Sequence, residues 1–309
     1  DHRDLHSFPT RRSSDLYVVE SWQNKQTHIY GRFDLQYDGM NPPKMLEYNA
    51  DTPTSLFESA VLQYHWVQES KAGHEQFNRL HERLVERWAS AVPGKELTHF
   101  AGCSEAREDF ICYQYLRDTA AQAGVATKGM DISEIGWDEA QGRFVDTEGK
   151  IIERLFKLYP WEHMSRDGFA DNILQHKLQW FEPSWKMLLS NKALLPVVWE
   201  INPGHPNLLK STFKAADFTG QDHVVKPKLS REGANVTIVL NGETAQKTQG
   251  IYDEGDAIYQ AYAPLPEFDG FRPVIGSWVI GDQASGIGIR EDSGYVTAND
   301  SRFVPHYVG

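Results

Sequence analysis

Residues 97–128 read LTHFAGCSEAREDFICYQYLRDTAAQAGVATK, and this stretch decides the fold class. Residues 97–101 make a short strand and residues 109–123 a helix. Gly124 closes that helix, since a residue without a Cβ suits the left-handed turn at a helix end. Residues 125–128 make a second strand. Strand, helix, strand in succession is a βαβ unit, so the first half of the chain is expected to be α/β.

Working outward, Phe77, Leu80, Leu84 and Trp88 form an apolar stripe at helical spacing, which predicts a helix upstream. Another helix is expected to start near Ser55, because Ser55 and Glu58 have capping-box spacing. Before it, residues 30–37 alternate as a strand does, and residues 44–48 form a second strand. Asp38-Gly39 and Asn41-Pro42-Pro43 supply the turn between them. Residues 133–150 are turn-rich, with Gly136, Gly142 and Gly149. From Asp222 the pattern changes to β-hairpins: residues 224–229 with 235–240, and residues 274–280 with 284–290 around Gly281-Asp282. The expected organisation is therefore mixed α/β, with an N-terminal part over residues 17–178 and a hairpin-rich part over 179–309. There is no internal repeat and no low-complexity tract.

Composition narrows the function classes. The net charge of −12 repels nucleic acid and anionic membranes, while local Lys and Arg remain able to build a phosphate pocket. The mean hydropathy of −0.53 accompanies no apolar stretch near the roughly 20 residues that span a bilayer. The two cysteines, Cys103 and Cys112, make no disulfide framework, and a reducing cytoplasm is the expected setting. Residues 1–16, DHRDLHSFPTRRSSDL, have no apolar segment of a secretory signal. SFPTRRSSDL matches the translation of a sequencing adaptor, so this segment is expected to be foreign and the natural N-terminus to be missing. Nothing in the sequence sets the oligomeric state.

Four constellations carry possible chemistry. Arg32 and Asp34 lie two apart on one expected strand, and Glu47 and Asn49 two apart on the next, so each pair shares a face. If the strands pair, two carboxylates and an amide oxygen converge, an all-oxygen set that suits magnesium, with Arg32 beside them for a phosphoryl group. The same residues would also make a surface ladder of ion pairs. VVKPKLSREGAN, residues 224–235, delivers Lys226 from a strand into a small polar loop whose N–H groups could cradle phosphates. It lacks the Walker spacing and would also serve as an ordinary charged hairpin. Lys192, ahead of the apolar run 193–199, gains meaning only beside Lys226. Arg290, with Glu291 and Asp292, ends a late strand and could close over phosphates or substrate.

Taken together, YGRFDLQYDG, LEYNADTPTSLFE, FKLYPWE, FEPSWKMLLSNKALLPVVWE, HPNLLKSTF, VVKPKLSREGANV, IGSWVIGDQASGIGIRED and SRFVPH resemble, in order, the synthetase domain of the glutathionylspermidine synthase family. The resemblance runs from about Tyr30 to Tyr307 and is nearest to the stand-alone acid–amine ligases. It implies an ATP-grasp fold with a preceding α/β part. It also implies an ATP-dependent ligase that joins a small, peptide-like acid to an amine, possibly a polyamine, through an acyl phosphate, with two Mg2+ ions. Carried over by position, Asp34, Glu47 and Asn49 match metal ligands, and Arg32 the arginine at the transferring phosphate. Lys192 and Lys226 match the ATP-holding lysines, Arg231, Gly233 and Asn235 the loop over the phosphates, and Arg290 a late phosphate or substrate arginine. Thr52, Thr54 and Glu108 match substrate contacts. Leu158 departs from the pattern: the family places a substrate-contacting threonine there, which puts glutathione in doubt as the acid. No stretch resembles the amidase half of bifunctional relatives. The rival expectations are a nucleotide- or metabolite-binding protein without catalysis, or an inactive, truncated piece of such a ligase. The intact Asp34, Glu47 and Asn49 set favours the enzyme.

Overall fold

The computed structural model describes residues 11–309 except Lys177, Asp253, Glu254 and Asn299. The first ten residues of the suspected foreign segment therefore lie outside the described residues, and the rest open helix α1 (Arg11–Gln23).

The βαβ unit is present. β3 (Thr98–Gly102) and β4 (Thr127–Asp131) pair in parallel, joined by α4 (Arg107–Gln122), and Gly124 has φ +84°. A hairpin of β5 (Gly136–Asp138) and β6 (Arg143–Val145) follows, then β7 (Arg154–Leu158), the short helices α5 (Trp161–Met164) and α6 (Ala170–Ile173), and β8 (Gln179–Phe181). The resulting four-stranded parallel sheet has the order β4-β3-β7-β8. Gly136 is a strand residue, whereas Gly142 and Gly149 take positive φ in turns.

The second sheet joins chain segments far apart. β1 (Tyr30–Gln36) pairs antiparallel with β2 (Lys44–Asn49) on one side. On the other it pairs with β14 (Arg272–Ile280), which continues to β15 (Gln283–Asp292) and β16 (Arg302–Val304). After α2 (Gln63–Ser70), α3 (Leu80–Ala91) packs with α4 over an aromatic core between these sheets. Trp88, fully buried, has ring centroids 5.2 Å from both Phe100 and Phe181 and 6.1 Å from Phe156. Tyr30 and Trp278 stack in the same cluster.

The third sheet follows α7 (Lys186–Ser190) and α8 (Leu194–Ile201). Its strands are β9 (Ser211–Thr212), β10 (His223–Pro227), β11 (Thr237–Leu240), β12 (Glu243–Lys247) and β13 (Ala257–Ala261), in the order β12-β11-β10-β13-β9. The expected pairing of residues 224–229 with 235–240 is made by β10 and β11, and the hairpin around Gly281-Asp282 by β14 and β15.

Two local expectations fail. Ser55 and Glu58 form no capping box: Ser55 sits at φ +61° and its hydroxyl donates to Glu108 instead. Residues 58–62 are a turn of π-helix before α2. Phe77 is outside α3 and 63% exposed, because its backbone carbonyl accepts from Ile287 N and the next residues pair along β15. The expected division at 178/179 also has no counterpart in the sheets. β8 belongs to the parallel sheet, and β1 lies between β2 and β14, so residues 17–178 and 179–309 share a sheet.

Candidate active site

The site begins with strand register. In the β1–β2 ladder Arg32 faces Asn49 and Asp34 faces Glu47, so alternation brings all four side chains to one face. Across β1, Asp34 faces Gly276 on β14, which in turn faces Gly288 on β15. A Cβ on Gly276 would stand 2.8 Å from Arg32 Cδ, and one on Gly288 2.2 Å from Ser59 Oγ. Gly276 leaves room for the Arg32 side chain and Gly288 for Ser59 and Phe303, while Arg290, two residues along β15 from Gly288, reaches Asp34.

Asp34 is the hub. Arg32 grips it with Nε at 2.7 Å and Nη2 at 3.2 Å, Arg290 Nη2 lies at 3.0 Å, and Asn49 Nδ2 at 3.3 Å. Arg32 also donates to Thr54 O at 2.6 Å and lies 5.5 Å from the Trp278 ring. Glu47 accepts from Asn49 Nδ2 at 3.3 Å and pairs with Lys192 Nζ at 3.0 Å. Burial pushes the Glu47 carboxyl up, but Lys192, Lys226 and Arg32 together outweigh it and hold it well below the usual range.

The two lysines come from separate elements. Lys192 stands between α7 and α8, where its N–H donates to Lys228 O and its Nζ to Ser230 O. Lys226, on β10, donates to Leu46 O at 2.9 Å and to the carbonyl of buried Gln260 at 2.7 Å. Burial lowers its pKa to about 8, against the pull of Glu47. Gln260 in turn donates to Met45 O, so it ties β13 to β2 around Lys226.

The loop after β10 closes one side. Gly233 takes φ +69°, and a Cβ there would meet Thr297 O at 2.5 Å, so glycine is required twice over. Arg231 leaves the loop to bind Glu162 with Nε and Nη2 at 2.8 and 2.6 Å and the Thr52 hydroxyl with Nη1 at 2.7 Å. Asn235 is placed differently from its expected role. It sits at φ +54°, its Oδ1 accepts from Tyr252 N, and it does not line the cavity.

These residues surround a cavity of about 1050 Å³. Arg32, Asp34, Glu47, Asn49, Lys192, Lys226 and Arg290 line one part. Thr52, Thr54, Leu158, Cys103 and the carboxylates Glu58, Glu108 and Asp109 also line the cavity, adjoining the first group where Arg32 donates to Thr54 O and the Ser55 hydroxyl to Glu108. Burial raises the Asp109 carboxyl to about 6, with Glu108 adding to the effect, and burial also raises Glu58. No ion pair reaches Glu58, Glu108 or Asp109 among the described residues. Leu158 is buried and offers no hydroxyl. Glu162, Gln260, Glu58 and Asp109 escaped the sequence reading. Glu162 lies inside FKLYPWE, but nothing in its spacing points to Arg231.

The family model described as "Glutathionylspermidine synthase preATP-grasp" matches residues 4–309. A Haemophilus influenzae protein provisionally named an acid–amine ligase is 44% identical over 94% of this chain and 77% of its own length. The chain belongs to the glutathionylspermidine synthase family. Trypanothione synthetase of Crithidia fasciculata is 32% identical over 92% of this chain, which spans 48% of that enzyme. A glutathione synthetase-like effector from Globodera pallida shares the fold, with a TM-score of 0.58 at 12% identity over 97% of this chain and 83% of that one. The expected ATP-grasp architecture is thus shared with a glutathione-synthetase-like structure, and the family to which the chain belongs is one of ligases that form C–N bonds. Among the described residues no helix is long and apolar enough to cross a membrane.

Proposed function

We propose that the chain is an ATP- and magnesium-dependent ligase that activates a small acid as an acyl phosphate and transfers the acyl group to an amine. One observation carries this reading. In one part of the cavity four cationic side chains, Arg32, Lys192, Lys226 and Arg290, surround two carboxylates, Asp34 and Glu47. Such a cluster carries two more positive than negative charges away from bulk water, and a polyphosphate is the guest that balances it.

The donor set fits magnesium. Asp34, Glu47 and Asn49 offer oxygen ligands and no sulfur or imidazole, and their side chains already meet within hydrogen-bond distance. The Asn49 amide nitrogen faces both carboxylates, so its oxygen reaches the same point after a half-turn of the amide. Bound there, magnesium would neutralise charge on the transferring phosphoryl group. Among the described residues no three His, Cys, Asp or Glu side chains gather as a metal site, so Asn49 is needed to complete the set.

In the first half-reaction the acid's carboxylate oxygen attacks the γ-phosphorus of ATP, and ADP leaves. Arg32, Lys192 and Lys226 hold the phosphates and offset the charge that develops. In the second, a neutral amine nitrogen attacks the acyl carbon and phosphate leaves with the bonding pair. The loop of Arg231 and Gly233 keeps water from the acyl phosphate. Glu58, Glu108 and Asp109 favour a substrate that carries positive charge besides its reacting amine, as a polyamine does. Thr52 and Thr54 face the acid, and buried Leu158 shapes that wall by volume rather than by a hydrogen bond.

The test is ADP release over a panel of acids and amines, with mass detection of the product. At least one pair should give amine-dependent ADP and a dehydrated adduct, and Asp34→Ala and Lys226→Ala should abolish both. Full activity in both variants would remove the site assignment.

A further inference from the structure

Arg231, which lines the cavity, and Glu162 join the loop after β10 to α5, and the bond is built from both sides. On one side, Glu232, Gly233 and Asn235 all take positive φ, and Gly233 lies against Thr297 O. Arg231 extends from this loop across the cavity rim. On the other side stands α5, which carries Glu162 in its first turn. The start of α5 is bolted to the end of β2. Trp161 N donates to Asp51 Oδ2 at 2.9 Å, while Asp51 Oδ1 pairs with Lys157 Nζ at 2.6 Å, both side chains being fully buried. Asp51 lies two residues after Asn49. The wall that carries Asn49 therefore also sets where Glu162 stands.

Glu162 accepts two hydrogen bonds from the guanidinium through one oxygen, and the third goes to the Thr52 hydroxyl. The side chains are 14% and 27% exposed, so the pair is shielded from most solvent screening. Lys157 stands further back, committed to Asp51 and Tyr159 O.

We propose that Glu162 is a positioning residue: through Arg231 it holds the loop of residues 230–235 closed over the cavity and fixes the Thr52 hydroxyl toward the acid. The inference rests on the ligase reading only for its consequence. Without Glu162 the loop loses its far anchor, water reaches the activated acid, and ADP forms without product.

The experiment is hydrogen exchange of residues 230–235 in the substrate-free protein. Glu162→Gln and Glu162→Ala should exchange faster by about tenfold, the size of a lost charge-assisted contact in a locally opening segment. The reversed pair, Glu162→Arg with Arg231→Glu, should restore protection toward the wild-type level. A role for Glu162 in α5 packing alone would not be rescued this way. With the acid–amine pair found above, the ratio of ADP to ligated product should rise in Glu162→Gln. Unchanged exchange in a folded Glu162→Gln protein, or a reversed pair no better than the single variants, would overturn the proposal. Failure of wild-type protein to bind magnesium with a non-hydrolysable ATP analogue would instead overturn the ligase reading, since loop exchange is measured without nucleotide.

Discussion

Two adjoining parts of the cavity use the same kind of side chain to opposite effect. Around Asp34, Arg32 and Arg290 pair with its carboxylate, Lys192, Lys226 and Arg32 hold the Glu47 carboxyl well below its usual range, and the cluster has more cationic than anionic side chains. Around Glu108 three carboxylates have no direct ion pair among the described residues, and burial raises Asp109 to about 6, with Glu108 adding to the rise and Arg231 opposing it. The difference lies in the neighbours rather than in depth alone, because Glu47 is also buried yet stays low. One part is complementary to an anion and the other to a cation, which is what the proposed ligase reading requires.

The comparison breaks most visibly if its positive part is removed. Lys226→Ala should lower amine-dependent ADP release by about 100- to 1000-fold, the usual cost of losing a preorganised charge at a developing anion. Steady-state kinetics checks this, with thermal melts to show that the variant is folded, since Leu46 O and Gln260 also lose their partner. Asp34→Ala removes the shared partner of Arg32 and Arg290, and stranding buried charge should cost about 3–5 kcal/mol of stability. Chemical denaturation measures it, and Asp34→Asn should recover part of the loss. Glu108→Gln with Glu58→Gln should raise KM for the amine by about tenfold and change affinity for a magnesium–ATP analogue much less, because Glu108 makes no ion pair with the phosphate-side cations although Arg32 and Arg290 feel its charge. Equal effects on both ligands would erase the distinction between the two parts.

The smallest effect is on stability against pH. The Asp109 carboxyl lies at about 6 in the folded chain against an ordinary 3.8. The folded state therefore holds the proton more tightly than the unfolded one between these values. The ionised carboxyl costs nothing below about pH 4, its cost grows as pH rises toward 6, and the cost is constant above. Asp109→Asn should thus be more stable than wild type at pH 7.5 by about 1 kcal/mol, after allowance for solvent screening. The two should match at pH 4. Melting curves at the two pH values check both the sign and the window.

What was legible in the sequence was local. Gly281-Asp282 announces its hairpin because turn chemistry is written in neighbouring residues. Arg32, Asp34, Glu47 and Asn49 were readable as one face because strand alternation is periodic and the two strands are consecutive. The placement of β1 beside β14 was not readable, since nothing local links Asp34 to Gly276. The same holds for Glu162 with Arg231 and Gln260 with Lys226, which meet only in the folded chain. Ser55 failed for the opposite reason: its spacing to Glu58 was right, but the turn into the helix needed a positive φ and Glu108 took the hydroxyl. Phe77 kept the helical spacing of Leu80 and Leu84 and was drawn out of the helix by pairing with β15.

The central claim is that the acid's own oxygen attacks the γ-phosphorus of ATP. It is tested most directly with the acid labelled by oxygen-18 in its carboxylate. The account predicts that each turnover moves one labelled oxygen into inorganic phosphate, with ADP and the amide as the other products. Unlabelled phosphate, or AMP with pyrophosphate in place of ADP, would contradict it.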